Sequence, residues 1–173
     1  FLTLTAEYKD QNHTVRTGYD HRQQYPGSQP AAEAAINRYN AWTGEPDLEQ
    51  FSLFANAGYT VGEAELYGWA SYQDRETVSA GFFRRALDDR NVIEIYPDGF
   101  LPKINPTTTD YSALGGVRFD WGGWDADASV GYGKNKMEFQ IIDTLNRSPG
   151  TASGTEFDAG GFGSSQVVLG LNM

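Results

Sequence analysis

Six stretches of this chain alternate apolar and polar side chains with a period of two, the signature of a β-strand with unlike faces. Leu2, Leu4, Ala6 and Tyr8 oppose Thr3, Thr5, Glu7 and Lys9. Leu53, Ala55, Ala57, Tyr59 and Val61 oppose Phe54, Asn56, Gly58 and Thr60. Leu66, Gly68, Ala70 and Tyr72 then alternate with Tyr67, Trp69, Ser71 and Gln73, and periodicity alone leaves open which set faces outward. Tyr111, Ala113, Gly115, Val117 and Phe119 oppose Asp110, Ser112, Gly116, Arg118 and Asp120, with Leu114 the apolar exception on the polar side. Trp124, Ala126, Ala128, Val130 and Tyr132 oppose Asp125, Asp127, Ser129, Gly131 and Gly133. Val167, Leu169, Leu171 and Met173 oppose Gln166, Gly170 and Asn172.

The connections alternate in length. Long loops are expected over about residues 19–47, 76–108 and 142–163, and short turns near 61–64 and 121–123. All seven prolines fall in the three long loops so drawn, as they should if every strand is hydrogen-bonded on both edges and can spare no N–H. Loops of this length need a functional explanation. An all-β, up-and-down antiparallel sheet of about six strands supplies it, with short turns at one rim and long loops at the other, as in a transmembrane β-barrel. Tyr59, Phe119, Trp121 and Trp124 cluster beside the short turns, where amphipathic rings sit at a membrane–water boundary. The competing account makes them ordinary core aromatics of a soluble β-sandwich. The stretch from Pro30 to Arg38 predicts a short loop helix opening at proline.

Composition narrows the function classes. A net charge of −10 argues against nucleic acid as a partner. The absence of cysteine removes disulfides, Cys-ligated zinc, iron–sulfur clusters and thiol catalysis. The longest promising charge-free stretch, Phe51 to Gly62, is too short for a membrane helix, which needs about 20 mostly apolar residues. Membrane strands escape that test, because only alternate residues face lipid. The chain opens at Phe1 with no initiator Met or signal peptide, and both ends lie in strand-like text, so a fragment of a longer protein is expected.

Several blocks, in order, resemble the barrel region of TonB-dependent receptors: Glu65-Leu-Tyr-Gly-Trp-Ala-Ser-Tyr-Gln-Asp, Ser79-Ala-Gly-Phe-Phe-Arg-Arg, Ile95-Tyr-Pro-Asp-Gly-Phe-Leu-Pro, Gly123-Trp-Asp-Ala-Asp-Ala-Ser-Val-Gly-Tyr-Gly-Lys-Asn and Asp143-Thr-Leu-Asn. The resemblance implies a 22-stranded barrel in the outer membrane of a Gram-negative bacterium, plugged by an N-terminal domain. Such a barrel imports a scarce nutrient (a siderophore, cobalamin or a saccharide) with energy delivered by TonB. Residues 1–173 would then be a partial barrel domain, without plug domain, TonB-contacting box or remaining strands. Its partners would be outer-membrane lipid, its own plug, TonB through that plug, and a small nutrient ligand. No covalent chemistry and no cofactor is implied.

The residues offer little for catalysis. His13 and His21 are the only histidines, show no metal-ligand spacing and display no orienting partner, so they read as solvated or loop-packing. Asp125 and Asp127 share a strand face, with Asp120 across the hairpin, which admits a glycosidase-like carboxylate pair, but lumen carboxylates in water are the plainer account. Gly131-Tyr-Gly-Lys-Asn-Lys and Gly160-Gly-Phe-Gly-Ser-Ser complete no phosphate-binding motif. The richest binding text is the loop from Ala80 to Asn105. There Phe82, Phe83, Arg84, Arg85 and Tyr96 are candidate ligand residues, with aromatic faces for a ring and guanidinium groups for a carboxylate or phosphate. The simpler account is that Arg84, Arg85 and Arg90 pair with Asp88, Asp89 and Asp98 to order the loop. The rival function is a soluble β-sandwich carbohydrate-binding module.

Overall fold

The computed structural model describes residues 1–173 as one six-stranded sheet: β1 (Leu2–Gln11), β2 (Asp47–Val61), β3 (Ala64–Ala80), β4 (Lys103–Asp120), β5 (Asp125–Ile142) and β6 (Phe157–Asn172). Every strand pairs antiparallel with its sequence neighbour, in the order β1-β2-β3-β4-β5-β6, and the sheet is not closed into a barrel. The expected all-β, up-and-down architecture is present. A six-residue helix, α1 (Pro30–Ala35), has proline in its first turn, as the sequence predicts.

Two tight turns join β2 to β3 and β4 to β5. In the first, Gly62 takes φ 61° at the leading central position. In the second, Gly122 and Gly123 take φ 64° and 89°, while Trp121 and Trp124 exchange backbone hydrogen bonds of 2.8 and 3.3 Å. These are the primed hairpin turns whose twist matches that of the flanking strands, and they need left-handed backbone that glycine adopts without strain. The other three connections, L1 (12–46), L2 (81–102) and L3 (143–156), all emerge at the opposite rim.

The strands run further into the long-loop rim than the sequence suggests. β3 continues to Ala80, β4 starts at Lys103 and β6 starts at Phe157, so the later two long loops are shorter than expected at both ends. The expectation that all prolines lie in loops fails for Pro106, which is inside β4 and opposite Phe139 of β5. Its place is explained on the other edge, where the β3–β4 ladder lapses between Glu76↔Thr107 and Ser79↔Ile104. A residue without an N–H fits at such a gap. β6 carries one extra residue against β5, between Glu138↔Gly161 and Gln140↔Asp158.

Register settles the facing of β3. Leu53 lies opposite Tyr72, Ala55 opposite Ala70, and Tyr59 opposite Leu66. Those β3 residues in turn face Tyr111, Ala113 and Val117 of β4. Ala113, Gly115 and Val117 face Tyr132, Val130 and Ala128 of β5, which face Val167, Leu169 and Leu171 of β6. Because a one-residue slip would move a strand's whole apolar set to the other side, this register gathers six independent alternations onto one face. The opposite face carries Thr3, Glu7, Ser52, Asn56, Ser71, Ser112, Asp127 and Ser129, with Phe54, Trp69 and Leu114 as an apolar island. Phe54 stacks on Trp69 at 6.2 Å.

The sheet has no second layer. Only 11 of 173 residues are buried, and on the apolar face Leu53, Val130 and Leu169 are 44%, 53% and 78% exposed. The two stacked sheets of a β-sandwich are absent from these residues. Along β4 and β5 away from the short turn, the apolar-side residues Tyr111, Ala113, Gly115, Val130 and Tyr132 are exposed, while nearer the turn Val117, Phe119 and Ala128 are half-buried and Ala126 is buried. Their polar-side neighbours Ser112, Leu114, Gly116, Ser129, Gly131 and Gly133 are sheltered, as on the concave side of a curled sheet.

The compact core lies in the loops, where Tyr25, Phe83, Ala86, Val92 and Phe100 are buried. Gly99 shapes this core: its φ is +83°, and a Cβ there would fall 2.2 Å from the Arg84 carbonyl oxygen. Gly99→Ala should destabilise the loop core by on the order of 1–3 kcal/mol. Hydrogen exchange should quicken over residues 83–100 and stay unchanged in β4 and β5; an unaltered loop would refute this account of the glycine.

Candidate functional site

The three long loops are tied into one cap. L2 closes on itself through paired backbone bonds between Arg84 and Phe100, both 2.8 Å, with Gly81 N–H donating to the Pro102 carbonyl at 2.7 Å. L1 joins L2 where Leu87 N–H donates to the Gln24 carbonyl at 3.0 Å, Arg85 Nη1 donates to the Gln23 carbonyl at 2.9 Å, and the Tyr25 hydroxyl donates to Asp98 Oδ1 at 2.5 Å. L3 joins L2 where Tyr96 Oη donates to the Thr144 carbonyl at 3.3 Å and Arg147 Nη1 donates to the Asp89 carbonyl.

Inside L1, carboxylates organise backbone. Glu33 Oε2 accepts from the N–H groups of Gln24 and Tyr25 at 2.8 and 2.7 Å, and Oε1 pairs with Arg38. Asp20 takes a forked hydrogen bond from Arg22 and another from the fully buried Gln24 amide at 2.9 Å. The Arg22 guanidinium holds the Asp20 carboxyl well below the ordinary range, and the Tyr25 N–H does the same, less strongly, for Glu33. Burial, aided by the Asp98 carboxylate, pushes the Tyr25 phenol up to about 12.

The backbone bridge at Arg84 and Phe100 puts L2 in extended form there, and successive side chains point opposite ways. Phe83 goes into the loop core while Phe82 stands 83% exposed. Tyr96 is turned inward as well, stacked on Phe100 at 4.8 Å between centroids. Of the five candidate ligand residues, then, Phe82 and Arg84 share a cleft, whereas Phe83 and Tyr96 are structural and Arg85 reaches back to L1. The expectation that the loop arginines pair with its aspartates holds for Arg90, which meets Asp88 at 3.3 Å and Asp89 at 4.0 Å. It fails for Arg84, whose anchoring is through backbone, and for Arg85, whose partner is a carbonyl. Asp98 is taken by Tyr25.

The cleft itself measures about 910 Å³ and is lined by Phe82, Arg84, Arg90, Phe100, Arg147 and Phe157, with a floor from Ile104 and Ile141. Ile104 of β4 faces Ile141 of β5, which faces Phe157 of β6, and this row continues the polar, sheltered side of the sheet. The cleft therefore opens at the long-loop rim, above the concave face. Arg147 and Phe157 come from L3 and β6, more than 60 residues beyond Phe82, and no local motif in the sequence marks them.

The remaining candidates have simple placements. His13 does have a partner that the sequence did not reveal: its Nδ1 lies 2.9 Å from Asp47 Oδ2, and its ring is 4.1 Å from Trp42. The His21 ring lies 4.8 Å from that of Tyr19. Asp120 and Asp125 are directly opposite at the end of the β4–β5 hairpin. Asp127 is engaged through both oxygens, by the Tyr67 hydroxyl at 2.7 Å and Arg118 Nε at 3.2 Å.

The lowered carboxyls fix the pH behaviour of the cap. A group whose folded pKa is depressed contributes in full above its unfolded value and loses that contribution as pH falls. Protection of the Gln24 and Tyr25 amides against hydrogen exchange, corrected for intrinsic rate, should be constant from pH 6 to 8 and fall steadily below about pH 4. Protection that stays flat down to about pH 2 would show that Asp20 and Glu33 do not hold L1.

No model of a protein family, no curated protein and no solved structure matches this chain.

Proposed function

We propose that this chain is a wall section of an outer-membrane β-barrel receptor that captures a scarce small nutrient and admits it by TonB-driven transport. The observation that carries the reading is an apolar, outward face bounded at both ends by aromatic rings. Beside the short turns stand Tyr59, Phe119, Trp121 and Trp124; Tyr59, Trp121 and Trp124 are 71%, 61% and 68% exposed. Toward the long loops, on the same face, stand Tyr8, Phe51, Tyr72, Tyr111 and Tyr132. The two belts are eight positions apart on three strands, from 51 to 59, 111 to 119 and 124 to 132. Eight steps cover about 27 Å along a strand, or about 20 Å in height at barrel tilt, close to the apolar band of outer-membrane barrels.

Beyond the second belt the same face changes character on every strand. Asp10 follows Tyr8, Glu49 and Asp47 lie past Phe51, and Asp74 and Glu76 past Tyr72. Thr109 and Thr107 lie past Tyr111, Lys134, Lys136 and Glu138 past Tyr132, and Ser165 and Gly163 past Val167. Tyr8 illustrates the boundary, with its ring beside the apolar band and its hydroxyl donating to Glu49 at 3.0 Å. A solvated strand end gives no reason for such a switch at one common height, whereas a lipid–water interface does.

The open edges of β1 and β6 fit a barrel completed by further strands, since an unpaired edge is costly in lipid. The polar concave face then lines a lumen, suited to a plug domain, and L1 to L3 form an external cap. The blocks that resemble TonB-dependent receptors supply the family assignment in this proposal, and the cargo class of siderophore, cobalamin or saccharide comes with it. The sheet's lack of a second layer disfavours the soluble carbohydrate-binding sandwich.

Arginine scanning across the two faces tests the wall. In the complete barrel folded into phospholipid vesicles, Ala128→Arg, in the middle of the apolar band, should reduce folding stability by about 2–4 kcal/mol, as lipid-facing arginines do at the bilayer midplane. Ser129→Arg, one residue on and facing the lumen, should cost less than about 1 kcal/mol. Equal penalties in a denaturant titration would sink the membrane reading.

A further inference from the structure

We infer that the loop-rim cleft takes a ring-bearing organic carboxylate, its charge held by Arg84 and Arg147 and its ring laid against Phe82 and Phe157. The inference rests on the import reading for the fate of the ligand, and deepens it by naming the cargo's chemical class.

Charge supplies the first argument. The chain carries −10 overall, yet three of its nine arginines line this one cleft. Arg90 is neutralised by Asp88, and the nearby Asp143 is taken by Lys103 at 2.8 Å. Arg84 and Arg147 have no carboxylate within 4.0 Å; outside the cleft Arg22, Arg38 and Arg118 have one, and Arg16, Arg75 and Arg85 do not, but only here do two unpaired guanidiniums line one cavity with aromatic rings. Arg147 is held by a backbone carbonyl, which orients a guanidinium without cancelling its charge. Two uncompensated guanidiniums lining one cleft, Arg147 tied to a backbone carbonyl and Arg84 free to swing, suit a carboxylate, which accepts forked hydrogen bonds from such groups.

Shape supplies the second. Phe82 is held 83% exposed by a loop whose next residue is buried, so its exposure comes from a fixed backbone, and its ring lines the cleft beside Arg84. Phe157, Ile104 and Ile141 add apolar lining to the same cleft. A cleft of about 910 Å³ with apolar walls and a few convergent polar groups falls in the range that encloses a molecule of drug-like size. A neutral saccharide would leave both guanidiniums without a counter-charge, whereas a carboxylate on a ring satisfies walls and charges together.

The test uses the complete barrel that carries this chain, folded in vesicles, and two probes of matched shape, 5-fluoroisophthalate and 5-fluoro-1,3-benzenedimethanol, followed by fluorine NMR. The dicarboxylate should bind at least about tenfold more tightly than the diol, and Arg84→Gln and Arg147→Gln should each remove most of that preference. Arg84→Gln is the cleaner variant, because its side chain makes no hydrogen bond in the cap, so loss of fold is not an alternative cause. Phe82→Ala should weaken both probes by about threefold to tenfold and leave their ratio intact. Equal binding of the two probes, or a preference that survives both arginine changes, overturns the inference. Quenching of Trp121 and Trp124 by brominated lipid, read on the same samples, reports on the wall separately. Absent binding with quenching intact overturns the carboxylate assignment alone, while charge-selective binding without quenching upholds it and overturns the membrane reading.

Discussion

The apolar side of this sheet is its exposed side, and the rest of the molecule follows from that inversion. In a water-soluble sheet the hydrophobic effect drives the apolar face against a second layer. Here the register collects Leu4, Leu53, Leu66, Val130 and Leu169 on one surface, and all five are exposed. Removing such a face from water requires another medium or another body. Two aromatic belts at fixed heights, with charge beginning just past one of them, suit a slab of hydrocarbon far better than an irregular protein surface.

A sheet with no layer behind it takes its order from other sources. Strand pairing supplies most of it, through ladders that run 10 to 18 residues with one bulge and one short lapse. Close-packed side chains supply the remainder at one end only, in the cap. There each loop is held by bonds of its own or to its neighbour: L1 internally by Glu33 and to L2 through Tyr25 and Asp98, L2 by its own bridge, and L3 to L2 through Tyr96 and Arg147. This division leaves the concave face open while fixing the groups above it.

Much of this was legible from the residues. Period-two patterning located all six strands, and glycines marked both tight turns, because these depend on local rules. The strand ends at the loop rim were misjudged for a physical reason. Past Tyr72 and Tyr111 both faces are polar, so the alternation that identifies a strand disappears while hydrogen bonding continues. Pro106 was misplaced because whether a proline is tolerated depends on the neighbouring strand's ladder, which is non-local. The second aromatic belt escaped notice because Tyr8, Phe51 and Tyr111 form a row only once register is known. In the same way, Phe82 and Phe83 are neighbours in composition and opposites in role, a distinction set by the backbone bridge at Arg84. The contribution of L3 and β6 to the cleft had no signature at all.

The overhang of the strands has a kinetic consequence. β5 continues nine positions from Tyr132 to Ile141, which lifts the cleft floor by about 30 Å of strand beyond the upper ring of tyrosines. In the proposed outer-membrane setting, a solute arriving there would cross an aqueous layer without touching acyl chains. Capture would then be governed by diffusion and by ionic strength, since the cleft's local positive charge must act through the field of a strongly acidic molecule within one Debye length, about 8 Å in physiological salt.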